Sequence, residues 1–214
     1  MRTLFQCDFD GTITPEDVSF LILDAFGSQG WKQLLEQYRE GKITVAHFNS
    51  RAFTTVKADE QTLVRFVRDR ARIRPGFHDL LACCHRKGFE FVIVSNGLDF
   101  YIRTILNDIG VDGIRVFAAT TRFGSGGIEA RYLGPRGNRL EDRFKEAYLR
   151  SFQEQGYRVI YAGNGFSDIY PAREAYHVFA TGELLTACNE MNIACTPFND
   201  LNDIVKGLES LPHQ

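Results

Sequence analysis

The sequence predicts an α/β fold, a parallel sheet covered by helices on both faces in three layers, with a small helical unit inserted after the first strand. Three observations predict it. Beyond Pro75, short apolar runs alternate with helical stripes, the pattern of successive βαβ units. Before Pro75, a long stretch carries helical periodicity and no strand pattern. Three polar clusters stand directly after apolar runs, at the strand carboxyl ends where open parallel sheets bind their ligands.

The first run, Leu4-Phe5-Gln6-Cys7, reads as a buried strand and leads into Asp8-Phe9-Asp10-Gly11-Thr12-Ile13-Thr14. Alternate residues of a strand share a face, so Asp8 and Asp10 aim two carboxylates into one space. Such a pair shares a proton with one pKa raised, or ionises around a metal or an electron-poor substrate. Taken alone, the pair also reads as a solvated acidic turn. Pro15 with Glu16 and Asp17 predicts a helix start. Trp31, Leu34, Leu35 and Tyr38 recur at helical spacing up to Gly41. Thr44 can cap a helix carrying Val45, Phe48, Ala52 and Phe53, and Asp59 one carrying Leu63, Phe66 and Val67. Phe20, Trp31 and Phe53 either line a pocket or hold these helices together.

Ile73-Arg74-Pro75-Gly76 is a breaker and marks the return to the main unit. Phe77, Leu80, Leu81 and Cys84 form a helical stripe ended by Gly88, followed by the strand-like run from Phe89 to Val94 and then Ser95-Asn96-Gly97. Leu98, Ile102, Ile105 and Ile109 predict a helix, Ile114 to Ala118 a strand, and Thr120 to Phe123 with Ile128 to Tyr132 a hairpin around Gly124-Ser125-Gly126-Gly127. Leu140, Phe144, Ala147, Tyr148 and Phe152 predict a helix, and Tyr157 to Ala162 a strand that exits at Gly163-Asn164-Gly165-Phe166-Ser167-Asp168. Helices from Ile169, from Glu183 and after Asn202, with a strand at Val178 to Ala180, complete the chain. The division is a core of residues 1–14 and 73–214 and a helical cap of residues 15–72.

Composition narrows the function. Of the 214 residues, 44% are apolar and 24% charged, as in a globular domain, and a formal charge of −2 without any basic block argues against a nucleic-acid binder. No apolar run reaches membrane-spanning length, so neither a signal peptide nor an anchor is expected and the partner list excludes membranes. Cys7, Cys83, Cys84, Cys188 and Cys195 show no C-x-x-C pair, which fits a reducing cytoplasm. His47, His78, His85, His177 and His213 have no ligand spacing.

The three strand-end clusters offer two carboxylates, a hydroxyl followed by small residues, and an oxygen-rich loop. Such hard oxygen donors suit Mg2+, which keeps waters and substrate phosphate in its shell. They also suit phosphoryl transfer, where placement and charge neutralisation supply most of the catalysis. Alone, Ser95 reads as a turn residue, Lys145 as a solvated helix lysine and Asp168 as a helix cap.

At these residues the sequence resembles the haloacid dehalogenase superfamily of aspartate-nucleophile phosphatases. The D-x-D-x-T motif is matched by Asp8, Phe9, Asp10, Gly11 and Thr12, the strand-end hydroxyl by Ser95, the helix lysine by Lys145, and the acidic loop by residues 164–168. The resemblance spans nearly the whole chain. It implies a three-layer Rossmann-like parallel sheet core with a small helical cap inserted after the first strand, as in the phosphoserine-phosphatase-like branch. Within that branch the motifs from Cys7 to Thr14, Ile73 to Phe77 and Val94 to Phe100, and Ser167-Asp168 followed by Ala172, are most similar to the phosphatases of methionine salvage. Those phosphatases carry a cysteine-rich stretch before their lysine, and none stands between Gly134 and Phe144.

The resemblance implies Asp8 as nucleophile and Asp10 as acid and base, with Ser95, the Asn96 backbone and Lys145 on the phosphoryl oxygens. It implies Mg2+ held by Asp8, the Phe9 carbonyl and Asp168, with Asp10 and Asn164 also in the metal set. Asp17 and Arg51 are the expected substrate contacts from the cap. The family commonly carries aspartate where Asn164 stands. The implied partner is a small phosphorylated metabolite, with the protein a monomer or homodimer. The alternatives are a phosphoserine-type phosphatase, or a binding or regulatory protein that kept the fold and lost turnover.

Overall fold

The computed structural model describes residues 2–211. Its centre is a seven-stranded sheet in the order β4-β3-β2-β1-β5-β6-β7, formed by β1 (Arg2–Cys7), β2 (Glu90–Leu98), β3 (Arg115–Gly124), β4 (Gly127–Arg131), β5 (Tyr157–Gly163), β6 (His177–Ala180) and β7 (Thr196–Pro197). All neighbours run parallel except β3 and β4. The central position of β1 follows from its composition. Leu4, Phe5 and Cys7 are fully buried, and a parallel strand buried on both faces needs such a continuous apolar run.

Four helices connect β1 to the rest of the core: α1 (Val18–Phe26), α2 (Trp31–Arg39), α3 (Val45–Phe53) and α4 (Glu60–Arg70). Thr44 and Asp59 cap α3 and α4 as expected, accepting from the His47 and Thr62 amides. The first helix begins later than Pro15 suggests. Residues 9–14 close a turn first, and Asp17 becomes the cap of α1 by accepting from the Phe20 amide at 3.0 Å. Trp31 is buried and its ring lies 5.1 Å from that of Phe20, while Phe53 is fully enclosed.

The remaining helices are α5 (Phe77–Arg86), α6 (Asp99–Asp108), α7 (Phe144–Glu154), α8 (Ile169–Ala172), α9 (Gly182–Glu190) and α10 (Leu201–Ser210). Two boundaries differ from the sequence pattern for identifiable reasons. Residues 115–124 form one strand, since its first part pairs with β2 and its second with β4. Helix α7 starts at Phe144 because Arg143 is left-handed, with φ of 54°, while Leu140 is held by the Tyr132 carbonyl. The two-residue β7 carries too little pattern to be read, and His213 lies outside the described residues.

One irregularity bears directly on the site. Val94 pairs with Phe117 and Leu98 with Ala119, so residues 95–97 loop out of the ladder. Bulges of this kind re-aim side chains at a sheet edge.

Candidate active site

The carboxyl ends of β1, β2 and β5 and the N-terminal turn of α7 converge on a cavity of about 350 Å3. Asp8, Asp10, Ser95 and Lys145 line it from the core. Asp17, Phe20, Leu35, Tyr38, Phe48 and Asn49 face them from the first three helices.

Asp8 leaves β1 with its amide still bonded to the Ala162 carbonyl of β5 at 2.9 Å. Its carboxylate lies 2.9 Å from Lys145 Nζ. Burial pushes the Asp8 carboxyl up to about 7, against the pull of Lys145 and helped by Asp168. Two residues on, Asp10 accepts from the Val18 amide at 2.9 Å and from the buried Tyr101 hydroxyl, which in turn lies 2.8 Å from Ser19 Oγ. Burial and the nearby Asp17 charge push Asp10 up to about 8, outweighing those two hydrogen bonds. Asp17 is half-buried and raised to about 7, again by burial first.

The turn between them is shaped by two glycines and an arginine. Gly11 has φ of +74°, and a Cβ there would collide with the Asn164 amide. A Cβ at Gly97 would strike the Tyr101 hydroxyl and the Asp10 carboxylate, so only glycine lets the two strand ends approach this closely. Arg74 donates to the Gly11, Thr12 and Asn199 carbonyls at 2.9, 3.0 and 2.7 Å, bracing the turn from behind.

Lys145 is almost fully enclosed, 2.6 Å from Asp168 and 2.9 Å from Asp8. Burial opposes its charge, yet Asp168 and Asp8 together hold it above the ordinary lysine range. Ser95 is buried at the looped-out end of β2, its Oγ accepting from the Gly97 amide at 3.0 Å.

The expected metal set does not assemble as a whole. Asp168 has no exposed surface, and both its oxygens are occupied: Lys145 and the Tyr161 hydroxyl donate to one, the Asn164 and Gly165 amides to the other at 2.9 and 2.8 Å. It therefore orients Lys145 and closes its own loop. The Phe9 carbonyl is likewise used, accepting from the Ile13, Thr14 and Thr12 amides at 2.8, 3.1 and 3.2 Å. Both Asp10 oxygens are engaged as described. Among the described residues, no three His, Cys, Asp or Glu side chains converge as a metal cluster. Two hard oxygen donors still line the cavity with a single polar side-chain partner each, the Asp8 carboxylate beside Lys145 Nζ at 2.9 Å and the Asn164 amide oxygen accepting from Thr12 Oγ1 at 3.1 Å. That pair fits Mg2+ held chiefly by waters and substrate, with one protein charge.

Arg51 is exposed and does not line the cavity. On α3 the inward residues are Val45, Phe48, Asn49 and Ala52, and the helical step carries Arg51 off that face. The cap arginine at the cavity is Arg39, ion-paired with Glu183 at 2.7 Å. Sequence reasoning missed Tyr101, Tyr161, Asn49 and Arg39. Tyr101 follows Gly97 by one helical turn, a spacing that signals a hydroxyl near the strand end.

These elements define a class. The sequence profile of haloacid dehalogenase-like hydrolases matches residues 5–173, and the chain belongs to that family. Closer in sequence, it is 29% identical to a 2-hydroxy-3-keto-5-methylthiopentenyl-1-phosphate phosphatase of Exiguobacterium sibiricum, over 98% of each chain. It is 25% identical to the protein of the same name from Bacillus mycoides, over 96% of this chain and 95% of that one. The fold is shared with phosphoserine phosphatase from T. onnurineus, with a TM-score of 0.73 at 19% identity over 99% and 96% of the two chains. Phosphatases of this family generally use Mg2+. Among the described residues, no helix is long and apolar enough to cross a membrane.

Proposed function

We propose that the protein is a Mg2+-dependent phosphomonoester hydrolase for a small phosphorylated metabolite, working through an aspartyl phosphate. The observation that carries this reading is the pairing of two unlike carboxyls in one cavity: Asp8 beside the Lys145 ammonium at 2.9 Å, and Asp10 held by Tyr101 and Val18 with its pKa raised. In the first step an Asp8 oxygen attacks phosphorus, the ester P–O bond breaks, and Asp10 gives its proton to the departing alkoxide oxygen. In the second, Asp10 takes a proton from water as that water attacks phosphorus, releasing inorganic phosphate and regenerating the Asp8 carboxylate. Ser95, the Asn96 backbone and Lys145 hold the phosphoryl oxygens. Asp8 and Asn164 would hold Mg2+, which offsets phosphoryl charge when bound.

For the substrate, the curated relatives support 2-hydroxy-3-keto-5-methylthiopentenyl-1-phosphate, because the alignment runs the length of both chains. The cavity supports an uncharged leaving group. Its cap-side cation, Arg39, is already paired with Glu183, and a carboxylate such as that of phosphoserine would need a free one. Asn164 supports a second reading, a fold-retaining binding protein with weakened turnover.

Phosphate release across a panel of phosphorylated metabolites, with Mg2+ and with chelator, tests both readings. The expected result is Mg2+-dependent release that Asp8→Asn abolishes. Absence of release from every ester, with the wild type indistinguishable from Asp8→Asn, would overturn the enzyme reading. Stable beryllium fluoride binding without turnover would then favour the second.

A further inference from the structure

Gln6 stands in β1 between Phe5 and Cys7, and like them it has no exposed surface. A glutamine there goes against the apolar run that a central parallel strand requires. Its side-chain Nε2 donates to the Lys145 carbonyl at 2.9 Å. Its Oε1 is buried and has no hydrogen-bond partner among the described residues. The opposite placement of the amide would set Oε1 against the Lys145 carbonyl, acceptor to acceptor, so the donor end belongs where it stands.

Hydrogen-bond satisfaction does not account for this side chain. A helical carbonyl accepts from the amide four residues on, so the Lys145 carbonyl is served within α7 without help from Gln6. The glutamine thus leaves a costly unmatched acceptor in the core for a bond that neither element needs. Local rules of this kind are broken where a site requires it.

What the bond supplies is position. Gln6 and Asp8 are alternate residues along one strand direction and share a face. Together they hold the two ends of a single residue, Gln6 the Lys145 carbonyl and Asp8 the Lys145 ammonium, each at 2.9 Å. The ammonium alone is a weak handle, since it ends a flexible four-carbon stem. The chain before α7 gives no other guide, because residues 141–143 are exposed and Arg143 turns left-handed with φ of 54°.

We propose that Gln6 is a positioning residue that fixes the first turn of α7 through the Lys145 carbonyl, so that the ammonium stands between Asp8 and Asp168, ready for a phosphoryl oxygen. The proposal rests on the phosphatase reading above. Gln6 does not line the cavity, so it acts only through Lys145.

Gln6→Met keeps the length of the side chain and removes both amide groups, and Gln6→Leu does so with a different shape. With p-nitrophenyl phosphate and Mg2+, both should raise KM and the inhibition constant of inorganic phosphate about tenfold or more, the range a displaced binding group costs. The urea midpoint, measured in chelator, should stay level or rise, since an unmatched acceptor has left the core. Unchanged KM and phosphate inhibition in both variants would overturn the proposal. So would a kinetic loss that comes with a lower urea midpoint in both, which would make Gln6 a support of the fold alone. If the wild type gives no release that Asp8→Asn abolishes, the phosphatase reading itself fails, a result distinct from an active wild type that the Gln6 variants match.

Discussion

Replacing Asp10 by asparagine separates the folding cost of this site from its catalytic use. Burial and Asp17 raise the Asp10 pKa from 3.8 to about 8. The unfolded chain therefore gives up this proton near pH 4, whereas the folded chain keeps it until about pH 8. Between those limits the folded state binds more protons than the unfolded state, so wild-type stability falls as pH rises through that window. At about 1.4 kcal/mol per pH unit the full effect is at most about 6 kcal/mol, and coupling to Asp8 and Asp17 leaves roughly 2–4 kcal/mol for this residue alone. Asparagine does not titrate, and it suits the surroundings. Its oxygen can accept from the Val18 amide while its amide donates to Tyr101, whose hydroxyl can turn to Ser19. Asp10→Asn should thus match the wild type near pH 4–5 and gain stability progressively up to pH 8, by about 5–15 °C in Tm for a chain of this size. Turnover should fall by at least about 100-fold, the usual contribution of general acid–base catalysis. Thermal melts in chelator at pH 5, 6, 7 and 8, with phosphate release measured alongside, check both parts. A variant less stable than the wild type at pH 8, or a stability difference independent of pH, would refute the reasoning.

Three further outcomes follow from neighbouring residues. Lys145→Met leaves Asp8 and Asp168 facing each other without their ammonium and should lose about 3–5 kcal/mol in urea unfolding at pH 8, less at pH 5 where Asp8 is protonated. Asn164→Asp restores a second negative charge at the cavity and should bind Mg2+ more tightly by calorimetry; unchanged or weaker affinity defeats the assignment of Asn164 to the ion. Tyr101→Phe removes a hydrogen bond that lowers the Asp10 pKa, so the alkaline limb of the kcat profile should move to higher pH, with kcat falling about tenfold and KM little changed.

The parts legible in the sequence are those written in local pattern. The β1 run, the Thr44 and Asp59 caps and the strand-end positions of Asp8, Asp10 and Ser95 depend on residues a few places apart, and the structure shows them as read. The different surroundings of Asp168 and Asn164 were not legible. Both stand in one oxygen-rich loop beside the cavity, and the Asp168 carboxylate is claimed by Lys145 and Tyr161, partners from α7 and β5. Arg51 and Arg39 show the same limit. Both are cap arginines, and only the docking of α2 and α3 against the core decides which one reaches the cavity.

The raised pKa values also bear on how a phosphate dianion can enter at all. Besides Glu183, which is paired with Arg39, four carboxyls, Asp8, Asp10, Asp17 and Asp168, surround or underlie a cavity whose core-side cation is Lys145. Fully ionised, they would repel the substrate they are built to process. Asp168 is stabilised by four donors, two of them the amides of its own loop, and shares the Lys145 ammonium with Asp8. Burial raises Asp10 to about 8 and both Asp17 and Asp8 to about 7, so these three carboxyls carry less charge near neutral pH than exposed ones would, and Lys145 offsets part of what remains. Asparagine at 164 extends the same economy of charge, since a further carboxyl would have to be balanced before phosphate could bind. The trade is specific: a cavity less repulsive to a dianion is also less attractive to Mg2+. Asn164→Asp should therefore tighten the metal while raising KM at low Mg2+, and a variant that improved both would show that charge balance does not govern entry to this site.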